Sequence, residues 1–170
     1  MGVMYDGDDV PTQPDALVAP EPTLVAIVLP EFRPIRNNLK ASLPSGAHHA
    51  YDLFCDSERV HEWLGPVCSS RVIARYHCGR AKRTAYVAQC GHSSMGYTLH
   101  YEYDDYNLLV RWVSAPNSRA SIAGSAQFQA VGQRVCTMHY KLTLQSDTPI
   151  YNRHPAAVAV KEFRDFVSRN

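Results

Sequence analysis

Between residues 71 and 145 the sequence repeats one pattern six times: a run of alternating apolar and polar residues, followed by a short turn. Alternation with a period of two is typical of β-strands that have one buried and one solvent-facing side. Because the connections are short, consecutive strands are expected to pair antiparallel. The six predicted strands cover residues 71–78, 81–90, 96–103, 107–114, 121–131 and 134–145.

Three helices and one more strand flank this run. Residues 35–43 alternate loosely and predict a first strand. Apolar residues then recur at helical spacing over residues 47–54 and again from Ser57 to Leu64. Pro155 suits a first helical turn and opens an amphipathic helix that ends at Ser168. This order predicts an α+β fold, in which a curved antiparallel sheet of about seven strands wraps around the C-terminal helix.

Residues 1–33 differ in composition from the rest of the chain. Their six acids and one base give a formal charge of 1 − 6 = −5, whereas the remaining 16 bases and 10 acids give +6. Prolines, acids and few large apolar residues predict an arm that is largely disordered, with an edge strand at 24–29 as the alternative for its apolar run. We therefore divide the chain into this arm and a single domain at residues 34–170.

Composition also narrows the class of partner. The densest cluster of bases, at residues 80–83, falls at a predicted strand–strand turn and is interpreted as a solvated basic turn, so no nucleic-acid partner is predicted. The apolar run at residues 24–29 is too short to cross a bilayer, so no integral membrane segment is predicted. Five cysteines, an odd number without C-x-x-C spacing, favour reduced thiols and a cytoplasmic protein over a secreted disulfide framework.

Three motifs give the chain a family resemblance. The segment from Tyr51 to Val60, followed by Trp63-Leu64, resembles the helix pair of the START/SRPBCC superfamily, also called the birch-pollen-allergen-like helix-grip fold. Residues 103–112 are similar to a hairpin of its polyketide cyclase/dehydrase and chaperone-ATPase-activator groups. Residues 124–128 are similar to its Gly-x-x-x-Phe strand. The resemblance spans residues 35–167 and implies a ligand cavity between the sheet and the C-terminal helix.

The concave face of such a sheet supplies the candidate ligand-binding residues. Two interpretations remain open: these side chains surround an apolar pocket whose polar points are tyrosine hydroxyls, or they fill a packed core. The family resemblance favours the pocket, whereas the spacing alone does not decide. The candidates are Trp63, Val72, Tyr76, Tyr97, Leu99, Tyr101, Val110, Trp112, Phe128, Met138, Tyr140 and Phe163.

Candidates for catalysis are weaker. Alternation puts His100, Glu102 and Arg111 on the face opposite Tyr101 and Trp112, and only a register slip of one residue would turn them inward. The sequence contains no nucleophile motif, no phosphate-binding loop and no zinc-ligand spacing. We therefore predict no metal site and no cofactor.

Three functions follow from these observations. The first is binding of a small hydrophobic or amphipathic ligand, of lipid, polyketide or isoprenoid type, which makes an enzyme the less favoured class. The resemblance implies two alternatives. One is a protein-interaction module similar to the chaperone-ATPase-activator group, with the arm as its contact, including a contact between two copies of the chain. The other is an enzyme similar to polyketide cyclases and dehydratases.

Overall fold

The computed structural model describes residues 34–116, 120–146 and 154–170. The predicted arm, with its edge strand at 24–29, lies outside these ranges. Within them the chain forms seven strands, three α-helices and one short 3-10 turn. The elements are β1 (Ile35–Leu43), α1 (Ala47–Cys55), the 3-10 turn (Ser57–Arg59), α2 (Val60–Trp63), β2 (Val67–Arg75), β3 (Ala81–Cys90), β4 (Ser93–Asp104), β5 (Leu109–Ser114), β6 (Ala120–Gly132), β7 (Val135–Ser146) and α3 (Pro155–Val167).

The strands form one open, curved antiparallel sheet in the order β1-β7-β6-β5-β4-β3-β2. Strands β2 to β7 follow one another as a meander, and β1 closes the far edge by pairing with β7. In β4 and β5, Tyr101 lies opposite Trp112, and Glu102 lies opposite Arg111. Because neighbouring residues point to opposite faces, this register puts the two aromatic residues on the concave face. The predicted α+β helix-grip architecture is confirmed.

Strand β2 is displaced from its predicted position. It begins at Val67 rather than at residue 71, and it ends at Arg75. Residues 76–80 form the hairpin turn instead: Tyr76 accepts the Gly79 N–H at 2.9 Å, and Gly79 has a φ of 88° that favours glycine. The pairing of β2 with β3 also shifts register at three places, which breaks the alternation on which the prediction relied.

Helix α3 packs its apolar side against the sheet and the other helices. Phe163 is fully buried and belongs to the same apolar cluster as Trp112 of the sheet. The Glu162 carboxylate accepts a hydrogen bond from the Gly65 backbone N–H at 3.0 Å, which ties α3 to the turn after α2. No helix in the described ranges has the length and apolar character needed to cross a membrane.

Arg80 is only partly solvated, which corrects the interpretation of its turn as a solvated basic segment. Its guanidinium lies 2.9 Å from the Asp105 carboxylate and 3.4 Å from that of Asp52. It also lies over the rings of Tyr51 and Tyr103, 5.0 and 5.2 Å from their centroids. Because these partners belong to α1, β4 and the β4–β5 turn, Arg80 joins the first helix to the sheet.

Removing this link is expected to destabilise the fold measurably. Arg80→Gln loses two ion pairs and two cation–π contacts, and we expect the free energy of unfolding to fall by about 2 kcal/mol. Arg83→Gln is the matched control, because Arg83 lies on the exposed outer face of β3. Urea denaturation of both variants tests this. Equal midpoints for the two would show that Arg80 contributes no more than a solvated arginine.

Candidate functional site

A cavity of about 390 Å³ lies between the concave face of the sheet and the helices. This volume is within the range of small-molecule binding sites. Helix α2 and the start of α3 form one side, and strands β3 to β7 form the other. The fold therefore leaves a space inside its apolar cluster where a fully packed core would have side chains.

The inner end of the cavity is aromatic. The Phe54 ring lies 5.7 Å from the Trp63 ring and 5.8 Å from the Trp112 ring, measured between centroids. Tyr140 lies 5.5 Å from Trp112 on the sheet side. All four side chains line the cavity and are at least nine-tenths buried. Their contacts give this end rigid, flat walls.

Two tyrosines of the cavity wall belong to a hydrogen-bonded group of hydroxyls that continues behind the wall. The hydroxyls of Tyr86 and Tyr101 are 2.6 Å apart, and Tyr86 also donates to the Ser57 carbonyl oxygen at 3.5 Å. The Ser57 hydroxyl is 2.8 Å from that of Thr84. The Tyr97 ring stacks on Tyr86 with a centroid distance of 5.4 Å. This chain of hydroxyls satisfies polar groups that would otherwise be buried at a cost.

Burial keeps the tyrosine hydroxyls protonated. Desolvation raises the pKa of Tyr86 to about 12 and holds the pKa values of Tyr101 and Tyr140 well above the usual range. For Tyr101 the neighbouring Tyr86 hydroxyl adds to the effect. These three groups are therefore neutral hydrogen-bonding groups at physiological pH, and none of them is poised to act as a general base.

The raised pKa of Tyr86 predicts a loss of stability at high pH. A folded-state pKa above the unfolded value of 10.0 means that the folded protein holds this proton more tightly. The stabilisation is complete below about pH 10 and is lost as the pH rises toward 12, and its full size is roughly 2 to 3 kcal/mol.

Urea denaturation across this pH range measures the effect. Tyr86→Phe is expected to show a shallower decline of stability with pH than the wild type. Tyr106→Phe, at a residue that is 94% exposed, is the control and should follow the wild-type curve. Parallel curves for all three proteins would contradict the prediction.

The outer end of the cavity reaches solvent. Its lining there includes exposed residues of the β3–β4 hairpin, Gly91, Ser93 and Ser94, and half-buried residues at the start of α3, Pro155 and Val158. The mouth therefore lies between this hairpin and the first turn of α3.

The structure divides the twelve predicted ligand-binding residues into three groups. Those that line the cavity are Trp63, Tyr97, Leu99, Tyr101, Trp112 and Tyr140. Four others, Val110, Phe128, Met138 and Phe163, are buried in the packed core. Val72 is half-buried in β2, and the Tyr76 hydroxyl donates to the Tyr101 carbonyl oxygen at 2.8 Å. Both interpretations that the sequence left open therefore apply: some of the predicted residues line a pocket, and others fill a packed core.

Sequence reasoning missed several lining residues. Tyr86 and Ala88 face the cavity from β3, and the signal for them was present, because Thr84, Tyr86 and Ala88 alternate with more exposed positions. The helical spacing around Phe54 predicts an apolar stripe, but nothing in that spacing distinguishes a cavity wall from a core side chain.

The weak catalytic candidates lie away from the cavity. Glu102 and Arg111 are exposed cross-strand partners on the outer face, and His100 lies opposite Val113 on the same face. The register slip that would have turned them inward does not occur. In the described part of the chain, no three His, Cys, Asp or Glu residues form a group that could hold a metal ion.

No protein-family model and no curated protein sequence matches this chain. Solved structures do match it. A START superfamily protein from Mycobacterium smegmatis has a TM-score of 0.68 at 12% identity, covering 79% of this chain and 97% of that one. The Zhui aromatase/cyclase from Streptomyces sp. R1128 has a TM-score of 0.68 at 4% identity, covering 81% and 95%.

A third similar structure is a point mutant of norcoclaurine synthase from Thalictrum flavum, in complex with a transition-state analogue. Its TM-score is 0.61 at 10% identity, and the match covers 81% of this chain and 96% of that one. These likenesses, at low identity but over nearly the whole of each matched chain, agree with the seven-stranded sheet and the C-terminal helix. The chain therefore shares the helix-grip fold of these structures.

Proposed function

We propose that this protein binds a small hydrophobic or amphipathic molecule, of lipid, polyketide or isoprenoid type, in the cavity beneath α3. The observation that carries the proposal is an apolar space of about 390 Å³ inside the core, open to solvent at one end. The similar structures support it, because they include an aromatase/cyclase and a synthase in complex with a transition-state analogue.

The energetics of the empty space favour an occupant. Side chains around a void lose the contacts they would make in a packed core. An apolar ligand restores those contacts and removes its own surface from water, which contributes about 25 cal/mol per Å² of apolar area. A molecule that fills the inner, aromatic end is therefore expected to bind and to raise the thermal stability of the protein.

A fluorescence assay with 1-aminoanthracene, an apolar probe that is neutral at neutral pH, tests the proposal. We expect the probe to bind and to be displaced by components of a lipid extract, which native mass spectrometry then identifies. Leu142→Trp places a larger ring in the cavity wall and should weaken probe binding by about tenfold or more. Val113→Trp, at a residue 52% exposed on the outer face, is the matched control. Failure of the folded wild type to bind, or equal binding by both variants, would refute the proposal.

The alternatives have less support. The proposal of a cyclase or dehydratase named His100, Glu102 and Arg111, which lie on the outer face and not at the cavity. It also named the pocket tyrosines, of which Tyr101 and Tyr140 line the cavity but are kept protonated by burial. The proposal of an interaction module, with a dimer through the arm, depends on residues 1–33, which lie outside the described residues.

A further inference from the structure

We propose that the cavity selects a neutral, oxygen-bearing ring compound, such as an alcohol, phenol or ketone, over an acid or amine of the same shape. This inference rests on the proposed function, because it names the class of ligand that the same site takes.

The first argument is the chemistry of the walls. The described residues that line the cavity are aliphatic or aromatic, or carry neutral hydroxyl or amide groups. Two basic residues adjoin the inner wall in sequence, Arg111 beside Trp112 and Lys141 beside Tyr140, but both are exposed and point to the outer face. A carboxylate or ammonium group that entered this space would lose its hydration without meeting an opposite charge, which is a large penalty.

The second argument is the state of the polar groups. The Tyr140 hydroxyl lines the cavity, and no hydrogen bond to it is found within the described ranges. The indole N–H of Trp63, another residue of the wall, is buried and also lacks a hydrogen-bond partner among the described residues. Both groups are neutral donors, and the tyrosine hydroxyl also accepts. A ligand oxygen that met the Tyr140 hydroxyl would gain a neutral hydrogen bond at no cost in charge, whereas the Trp63 N–H is too deeply buried for a ligand in the cavity to reach.

The third argument is the shape of the inner end. Flat rings of Phe54, Trp63 and Trp112 bound it at centroid distances below 6 Å. Aromatic walls in this arrangement offer stacking and edge contacts to a planar guest. A rigid ring compound also loses less conformational entropy on binding than a flexible chain of similar size.

Three anthracenes of matched shape provide the test: 9-anthracenemethanol, anthracene-9-carboxylate and the ammonium form of 9-(aminomethyl)anthracene. Their dissociation constants are measured at neutral pH by fluorescence. We expect the dissociation constant of the alcohol to be lower than that of either ion by about tenfold or more. Carboxylate or ammonium binding as tight as that of the alcohol would overturn the inference and leave the proposed function intact. If the folded protein bound none of the three compounds, both the inference and the proposed function would be refuted.

A pair of variants tests whether charge is the cause. Leu144 lines the cavity from β7 and is half-buried, so a lysine there can place its ammonium group near the mouth. Leu144→Lys is expected to shift the ratio of carboxylate to alcohol affinity toward the carboxylate by about tenfold. Leu144→Gln, which is polar but neutral, should leave the ratio unchanged. Equal ratios in the two variants would overturn the inference.

Discussion

Replacing Gly124 with alanine is expected to lower the free energy of unfolding by about 3 kcal/mol, the upper end of the usual cost of overpacking a core. Gly124 lies directly opposite Trp112 in the pairing of β5 with β6, and the indole lies across it. A Cβ at this position would sit 2.5 Å from the indole Cε2 and 2.6 Å from the Lys141 carbonyl oxygen. Neither neighbour can move freely, because one is a packed ring and the other is sheet backbone.

Urea denaturation of Gly124→Ala measures this cost, and Gly132→Ala is the control. Both glycines belong to β6, but a Cβ at Gly132 would meet nothing within 4 Å. Gly132→Ala should therefore change the midpoint little. A similar midpoint for both alanine variants would show that the indole is not held against Gly124.

A double variant separates the two clashes. Combining Gly124→Ala with Trp112→Leu removes the clash with the indole and keeps the clash with the Lys141 carbonyl oxygen. We expect the alanine to lower the free energy of unfolding by less in this background, because the effects of substitutions at contacting residues are not additive. In the single variant the displaced indole should enter the cavity and weaken the binding of 1-aminoanthracene.

The architecture of the sheet could be predicted because alternation is a local property. In β4 and β5 the spacing by twos placed Tyr101 and Trp112 on one face and Glu102 and Arg111 on the other, and the observed register agrees. Assigning faces by alternation fails where the pairing of two strands is irregular. In β2 the pairing with β3 shifts register between Val72 and Ala74, so a pattern read from the sequence alone misplaces the strand.

The cavity could not be predicted from residue type. Val110 and Trp112 are two residues apart on one face of β5, yet Val110 is fully packed and Trp112 lines an open space. The difference depends on where α1, α2 and α3 lie over the sheet, which is a tertiary property. Arg80 shows the same limit, because its carboxylate partners Asp52 and Asp105 lie 28 and 25 positions away in the chain.

Phe163→Ala is expected to have the largest effect on stability, about 3 to 5 kcal/mol. Phe163 is fully buried on α3, and its ring lies 5.0 Å from that of Phe54 and 5.1 Å from that of Trp63. Truncation removes contacts between the helix and two residues that line the cavity. The void it leaves adjoins the cavity, so any folded fraction should accept larger ring compounds than the wild type does.

Two further variants make the Phe163 measurement interpretable. Arg164→Ala changes an exposed residue on the same helix and should alter the free energy of unfolding by less than about 0.5 kcal/mol. Phe163→Leu keeps most of the side-chain volume and should lower the free energy of unfolding by only about 1 kcal/mol. It is therefore expected to stay folded even if the alanine variant does not. Five other residues of α3 are also buried against the rest of the fold. A cost for Phe163→Ala as small as that of the leucine variant would mean that these other contacts hold the helix, and that the cavity does not depend on Phe163.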